Sequence, residues 1–261
     1  SVSYAMAFAG GLVGAGNCNI VSKTYTYDGD CKSWDWWGRC TAYEQLTGYL
    51  FYPDFTSLAS SQNTFERCYN TGNITAIVRA DNISQRSNCW VYTGGICGWG
   101  GTTTNCNNRG NINAYSIWAS SKDNQGNRQT GTAAGMGWGV KATNCYNAGT
   151  LIARCPTVST AAEDGMLGHD DDYYGGNYYD YAWRTYATCV TYPISGGAKT
   201  DATNTRDVSS ATNCYYLSGC CSPSNNKGTQ RGTAVMQAAA MPGTLNGSVF
   251  IQDTKNLNKY F

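Results

Sequence analysis

Gly94-Gly95-Ile96-Cys97-Gly98-Trp99-Gly100, followed by Cys106-Asn107-Asn108-Arg109-Gly110-Asn111-Ile112-Asn113-Ala114, decides how this chain is read. The second stretch matches Cys68-Tyr69-Asn70-Thr71-Gly72-Asn73-Ile74-Thr75-Ala76 and Cys145-Tyr146-Asn147-Ala148-Gly149-Thr150-Leu151-Ile152-Ala153. A truncated copy is Asn213-Cys214-Tyr215-Tyr216-Leu217-Ser218-Gly219. These cysteines lie 38, 39 and 69 residues apart, so the last interval hides one degenerate or expanded repeat. A first glycine-rich copy is Gly10–Gly16, and further copies fall between the cysteine elements at Gly94–Gly100, Gly135–Gly139 and Gly165–Gly168. A stretch that recurs is architecture rather than a phosphate cradle. A period of about 38 residues marks a stacked array in which each repeat buries its apolar face on its neighbours. On this reading the Asn-x-Gly step supplies a positive-φ turn between short strands. Ile74, Ile112 and Leu151 then point inward, and Trp99 stacks on Trp138 of the next repeat.

Composition agrees. Of 261 residues, 31 are Gly and 20 are Tyr. Leu, Lys and Glu are too scarce to sustain long helices, which points to an all-β, turn-rich chain. The net charge is +1 and only 13% of residues are charged, which argues against a nucleic-acid partner. Thirteen cysteines indicate an oxidising setting, and their odd number leaves at least one thiol unpaired within a monomer. With no Cys-x-x-Cys pair and His169 as the sole histidine, a zinc site is disfavoured. No apolar run reaches the roughly 18 residues a transmembrane helix needs. Ser1 begins without the basic and apolar regions of a signal peptide, consistent with one already removed.

The flanks are less regular. Val2, Tyr4, Met6 and Phe8 alternate with small residues, reading as a strand that covers the core end or inserts into a neighbouring subunit. Residues 17–67 read as an insertion, with irregular structure or a short helix near Tyr43–Tyr52. Within it Cys31 and Cys40 bracket Trp34, Trp36 and Trp37, and their spacing suits a disulfide-closed loop. The tryptophans have two readings: packing onto the main body, or stacking on sugar rings. Residues 154–212 form a second insertion, and 233–241 a helix of about two turns ended by Pro242-Gly243. Val249–Ile251 reads as a last strand.

The alternation of Gly-Gly-[Leu/Ile]-x-Gly with Asn-Cys-Tyr-Asn-x-Gly-x-[Ile/Leu]-x-Ala resembles the GLUG-motif repeats of bacterial cell-surface and secreted proteins. Gly11-Leu12-Val13-Gly14 and Gly165-Met166-Leu167-Gly168 are nearest the motif core. The resemblance covers about residues 8–16, 64–153, 162–168 and 211–258. It implies a right-handed parallel β-solenoid in a surface or extracellular setting and transfers no catalytic residue. The two insertions and the small number of repeats depart from the family pattern.

In such a stack Cys68, Cys106, Cys145 and Cys214 occupy one repeat position, about 4.8 Å apart. They form a ladder of buried thiols, or else disulfides between rungs or with Cys89, Cys97 and Cys155. Cys220-Cys221 is a candidate for the unpaired thiol. Asp170, Asp171 and Asp172, with Glu163 and Asp164 nearby, are either a solvated turn, a Ca²⁺ loop or a carboxylate pair for glycoside chemistry. Tyr173 and Tyr174 join the tryptophans as candidate glycan contacts, with subunit contact and internal packing as competing roles. Asn73, Asn82 and Asn246 head formal glycosylation triplets. No nucleophile elbow, P-loop or dinucleotide fingerprint is present.

The expectation is a single domain over 1–261: a parallel β-solenoid (β-helix) with insertions at 17–67 and 154–212 and a C-terminal cap at 233–261. Its expected role is that of a secreted, non-enzymatic structural or adhesive surface protein that self-associates, up to a cell-surface filament. The alternatives are a glycan-binding adhesin and, further off, a polysaccharide lyase or hydrolase. No cofactor is expected beyond structural Ca²⁺.

Overall fold

The computed structural model describes residues 3–15, 20–53, 63–80, 87–118, 128–155, 167–174, 177–184, 186–197, 209–225 and 227–252. The first repeat supplies β1 (Ser3–Gly10) and β2 (Val13–Ala15). A hairpin of β3 (Ile20–Trp34) and β4 (Cys40–Pro53) follows, then β5 (Thr64–Glu66), β6 (Tyr69–Asn70) and β7 (Ile74–Ala80). The second repeat gives β8 (Ser87–Gly94), β9 (Cys97–Trp99), β10 (Thr102–Thr104), β11 (Asn107–Asn108) and β12 (Ile112–Trp118). The third gives β13 (Arg128–Ala134), β14 (Gly137–Trp138), β15 (Lys141–Thr143), β16 (Tyr146–Asn147) and β17 (Leu151–Arg154). A second hairpin, β18 (Leu167–Tyr174) with β19 (Asn177–Arg184), precedes the fourth repeat. That repeat holds β20 (Tyr186–Tyr192), β21 (Ser195–Gly196), β22 (Ser210–Thr212) and β23 (Tyr215–Leu217). The chain continues through β24 (Thr229–Arg231), α1 (Thr233–Met236) and α2 (Met241–Asn246).

The fold is all-β, and the repeats meet in parallel. One sheet runs β1-β8-β13-β20, a second β2-β9-β14-β21, a third β22-β15-β10-β5, a fourth β24-β23-β16-β11-β6 and a fifth β17-β12-β7. Four of the sheets take one strand from each repeat, the fourth sheet adding β24, and the β17-β12-β7 sheet takes one from each of the first three; the register aligns equivalent residues. Ile74, Ile112 and Leu151 are level, as are Thr64, Thr102, Lys141 and Ser210. Ile112 and Leu151 are buried and Ile74 half-buried, as expected from the inward reading. Trp138 pairs with Trp99 in register, their ring centroids 3.7 Å apart, and both pack with Tyr92 and Phe8.

The turn chemistry differs from the sequence reading. Gly72, Gly110 and Gly149 are not among the positive-φ residues; the left-handed position is the one before the cysteine. Arg67, Asn105, Asn144 and Asn213 sit there at φ 55°, 56°, 52° and 48°. Asparagine tolerates this region because its short amide bonds locally. The motif glycine answers a different demand: a Cβ on Gly110 would overlap the carbonyl oxygen of Gly72, and one on Gly149 that of Gly110. Close stacking of repeats, not φ, requires glycine there.

Residues 20–53 hold no helix. Tyr43–Tyr52 lies within β4, paired antiparallel with β3 from Ile20↔Pro53 to Trp34↔Cys40. The Thr and Tyr alternation of β3 and the Leu46–Tyr52 run of β4 favour strand, and mutual pairing gives it its partner. The expected helix over 233–241 is two short ones, α1 and α2, with Pro242 inside the first turn of α2, where its missing N–H costs nothing. Val249–Ile251 is not a strand. Instead Phe250 is buried with Met236, Met241 and Leu245 against Tyr146, so this segment covers the side of the stack.

Candidate functional site

The interior of the stack offers little reactive chemistry. Cys106, Cys145 and Cys214 are buried free thiols and Cys68 is half-buried, so the ladder exists without disulfides. Each thiol donates to the carbonyl two residues earlier: Glu66, Thr104, Thr143 and Thr212, at 3.2–3.3 Å. The Cys106 N–H donates to Cys145 Sγ at 3.4 Å, which links successive rungs. Burial pushes the Cys145 thiol up to about 12 and Cys89 to about 11. Cys106 is pushed up by its bond with Cys145 and by burial, while the same kind of bond lowers Cys214. These thiols serve as small core residues. Cys155 pairs with Cys189 rather than with the ladder, and Cys31 pairs with Cys40 as expected. Cys18 lies outside the described residues.

Beside the thiols runs an amide ladder that the sequence reading missed. Asn70 Nδ2 donates to Gly72 O and to Asn108 Oδ1, both at 2.8 Å. Asn108 Nδ2 repeats the pattern with Gly110 O at 2.9 Å and Asn147 Oδ1 at 2.7 Å. The signal was the invariant Asn two residues after each full-length motif cysteine.

The two ends of the stack are unequal. β1, β2, β5, β6 and β7 each occupy the outer edge of their sheet. First-repeat side chains are correspondingly more exposed than their equivalents. Tyr69 is 63% exposed where Tyr146 is at 0%; Asn70 and Phe65 are half-buried where Asn108 and Thr103 are buried. At the opposite end residues 223–225 and 227–231 cover part of the fourth repeat. The Ser224 N–H donates to Thr191 O, Asn225 Nδ2 to Ser195 O, Lys227 Nζ to Ser209 O and the Thr229 N–H to Cys214 O. Beneath this run Ile194, Ser195 and Cys214 are buried.

The first hairpin ends in the most exposed aromatic group among the described residues. Trp34, Trp36 and Trp37 are 64%, 81% and 59% exposed, and the Trp36 and Trp37 ring centroids are 3.5 Å apart. They are not packed onto the main body, which corrects the first of their two readings. Asp35 organises the tip. Its Oδ1 accepts the N–H groups of Trp37 at 2.9 Å and Arg39 at 2.8 Å, and its own N–H donates to Arg39 O. The Arg39 guanidinium lies 3.6 Å from Asp35 Oδ2, and Gly38 takes φ 78° to close the turn.

The remaining expected sites divide. In the proposed contact strand, Val2 lies outside the described residues and Tyr4 falls within β1. Met6 and Phe8 are half-buried, Phe8 against Tyr92 and Trp99 at 5.6 and 5.4 Å. That face therefore packs on its own chain, and the outer backbone edge of β1 has no strand partner among the described residues. Asp170, Asp171, Asp172, Tyr173 and Tyr174 lie in β18, opposite Tyr181, Asp180, Tyr179, Tyr178 and Asn177, so this is a strand and not a turn. Their side chains fall outside the described residues, as do Glu163 and Asp164. Asn73 is exposed, and Asn82 is outside the described residues. Asn246 is half-buried with its amide nitrogen donating to Asn105 Oδ1 at 3.1 Å, a bond that a glycan would break.

No family model, curated protein or solved structure matches the chain. Among the described residues no helix is long and apolar enough to cross a membrane. The disulfides are compatible with an oxidising, extracellular setting.

Proposed function

We propose that the chain is a secreted structural and adhesive surface protein, a right-handed parallel β-solenoid of GLUG-type repeats that associates with copies of itself. On this reading it is a scaffold and not a catalyst. The carrying observation is the asymmetry of the stack: a first repeat whose five strands each end their sheet without a described pairing partner and whose side chains are the more exposed, against a fourth repeat partly covered by residues 223–225 and 227–231. Terminal parallel strands without a described partner, bearing half-buried Ile74, Phe65 and Cys68, are a template for further pairing. The motif resemblance and the disulfides support the extracellular part of the reading.

Sedimentation velocity over a wide concentration range tests it. The native chain is expected to gain mass with concentration. A Thr64→Arg/Tyr69→Arg variant, altered at two exposed first-repeat positions, should remain small and fully folded. A native chain that stays monomeric throughout overturns the proposal.

A further inference from the structure

The β3–β4 hairpin is a long arm that meets the stack at β1. Fifteen residues of β3 at about 3.3 Å each span roughly 50 Å. None of the described side chains on either strand is buried. Its tip, in contrast, is tightly specified: the Cys31–Cys40 disulfide, the two N–H groups on Asp35 Oδ1, the Asp35–Arg39 backbone bond and the left-handed Gly38 all act on one short turn. A turn fixed this firmly around three exposed tryptophans is organised before any ligand arrives, which lowers the entropy lost on binding.

We propose that this tip is a binding site for an uncharged pyranose polysaccharide. Indole faces present broad apolar surface that matches the C–H face of a sugar ring. Trp36 and Trp37, in contact with each other, form one platform; Trp34, across from Cys40 in the ladder, forms a second. Hydroxyl groups at the ring edges need polar partners, and the flanking strands supply them in exposed Asp30 and Tyr43 and in the remaining polar atoms of Asp28 and Gln45, which are bonded to each other through Gln45 Nε2 and Asp28 Oδ1.

Charge selects this partner over others that exposed tryptophan attracts. Between residues 28 and 45 stand the acids Asp28, Asp30, Asp35 and Glu44 against the bases Lys32 and Arg39. Both bases are engaged, Lys32 with Glu44 at 3.4 Å and Arg39 with Asp35. An acidic tip is repelled by anionic lipid headgroups and by nucleic-acid phosphates, which recruit unpaired Lys and Arg. Neutral sugars carry no such penalty, and their hydroxyls donate well to carboxylates.

The site is independent of self-association, and the test keeps the two apart by using the Thr64→Arg/Tyr69→Arg background alongside the native chain. The full-length protein is assayed by pull-down on insoluble cellulose and chitin, and by affinity electrophoresis in mannan, xylan and a mixed-linkage β-glucan. Flotation with phosphatidylcholine and phosphatidylglycerol vesicles runs in parallel. Retention on at least one polysaccharide is expected in both backgrounds, with affinity falling roughly tenfold or more in Trp36→Ala/Trp37→Ala. Trp34→Ala should show a smaller loss. Because the hairpin buries no described side chain, both variants should keep the native melting temperature, which serves as the folding control. Retention unchanged in the double variant, no retention on any of the five polysaccharides, tryptophan-dependent flotation, or a tryptophan effect confined to self-association would each overturn the assignment.

Discussion

Gly72 and Gly110 hold the same place in successive repeats, yet a methyl group would meet different surroundings at each. At Gly110 it would collide with the Gly72 carbonyl; at Gly72 the nearest atom is the Asn70 side-chain oxygen at 3.7 Å. Gly110→Ala should therefore cost about 3 kcal/mol, the upper range for overpacking against fixed backbone. Gly72→Ala should stay within about 0.5 kcal/mol, as an unconstrained surface change does. Urea denaturation of the two variants checks the difference, and equal losses would contradict parallel stacking at this position. The thiols make a second contrast. Cys220 donates to Cys221 across 3.7 Å; this bond, with help from Thr191, lowers the Cys221 thiol from 9.0 to about 7 and pushes Cys220 up. Lowering means that the thiolate appears as pH rises through about 7, so iodoacetamide should label Cys221 half-maximally there. Cys106 and Cys145 should stay unlabelled until the chain unfolds. Labelling of all of them together would contradict the burial of the ladder.

At the scale of elements, the two disulfides have different reach. Cys155–Cys189 joins the end of the third repeat to β20 across 34 residues, enclosing the β18–β19 hairpin. Chain-entropy reasoning assigns a closed loop of that length about 3–4 kcal/mol, so Cys155→Ser/Cys189→Ser should lower global stability by that order. Cys31→Ser/Cys40→Ser acts on an arm that buries none of its described side chains. The main melting transition should be unmoved, while amide exchange quickens across residues 31–40. A shared loss of global stability would mean that the arm is part of the cooperative unit. These elements also mark where sequence reading stopped. The cysteine spacing, the inward Ile112 and Leu151 and the Trp99–Trp138 pair were legible because a stacked repeat leaves a periodic trace. The β3–β4 hairpin left none: it repeats nowhere, and its described aromatic residues, Trp34, Trp36, Trp37 and Tyr43, are exposed, so hydrophobic pattern could not separate strand from irregular chain. The role of Gly110 was hidden for a related reason, since glycine demanded by a neighbour's carbonyl looks the same in sequence as glycine demanded by φ. In the tryptophan site, residue identity was legible and exposure was not.

For the whole molecule, the main structural fact is that repeat-on-repeat pairing ends differently at its two limits. Residues 223–225 and 227–231 cover part of the fourth repeat, whereas the first repeat presents its strand edges without a described partner. If a second copy supplies that partner, Asn70, Tyr69 and Ile74 become as buried as Asn108, Asn107 and Ile112 are now. The tryptophan arm, borne by the same first repeat, would then project from each subunit of the assembly and repeat its weak sugar contact many times over, gaining avidity through effective concentration. Negative-stain microscopy of the native chain at graded concentration tests self-association most directly. The account predicts elongated particles that lengthen with concentration and are lost in Thr64→Arg/Tyr69→Arg; isolated particles of one size at every concentration would contradict it.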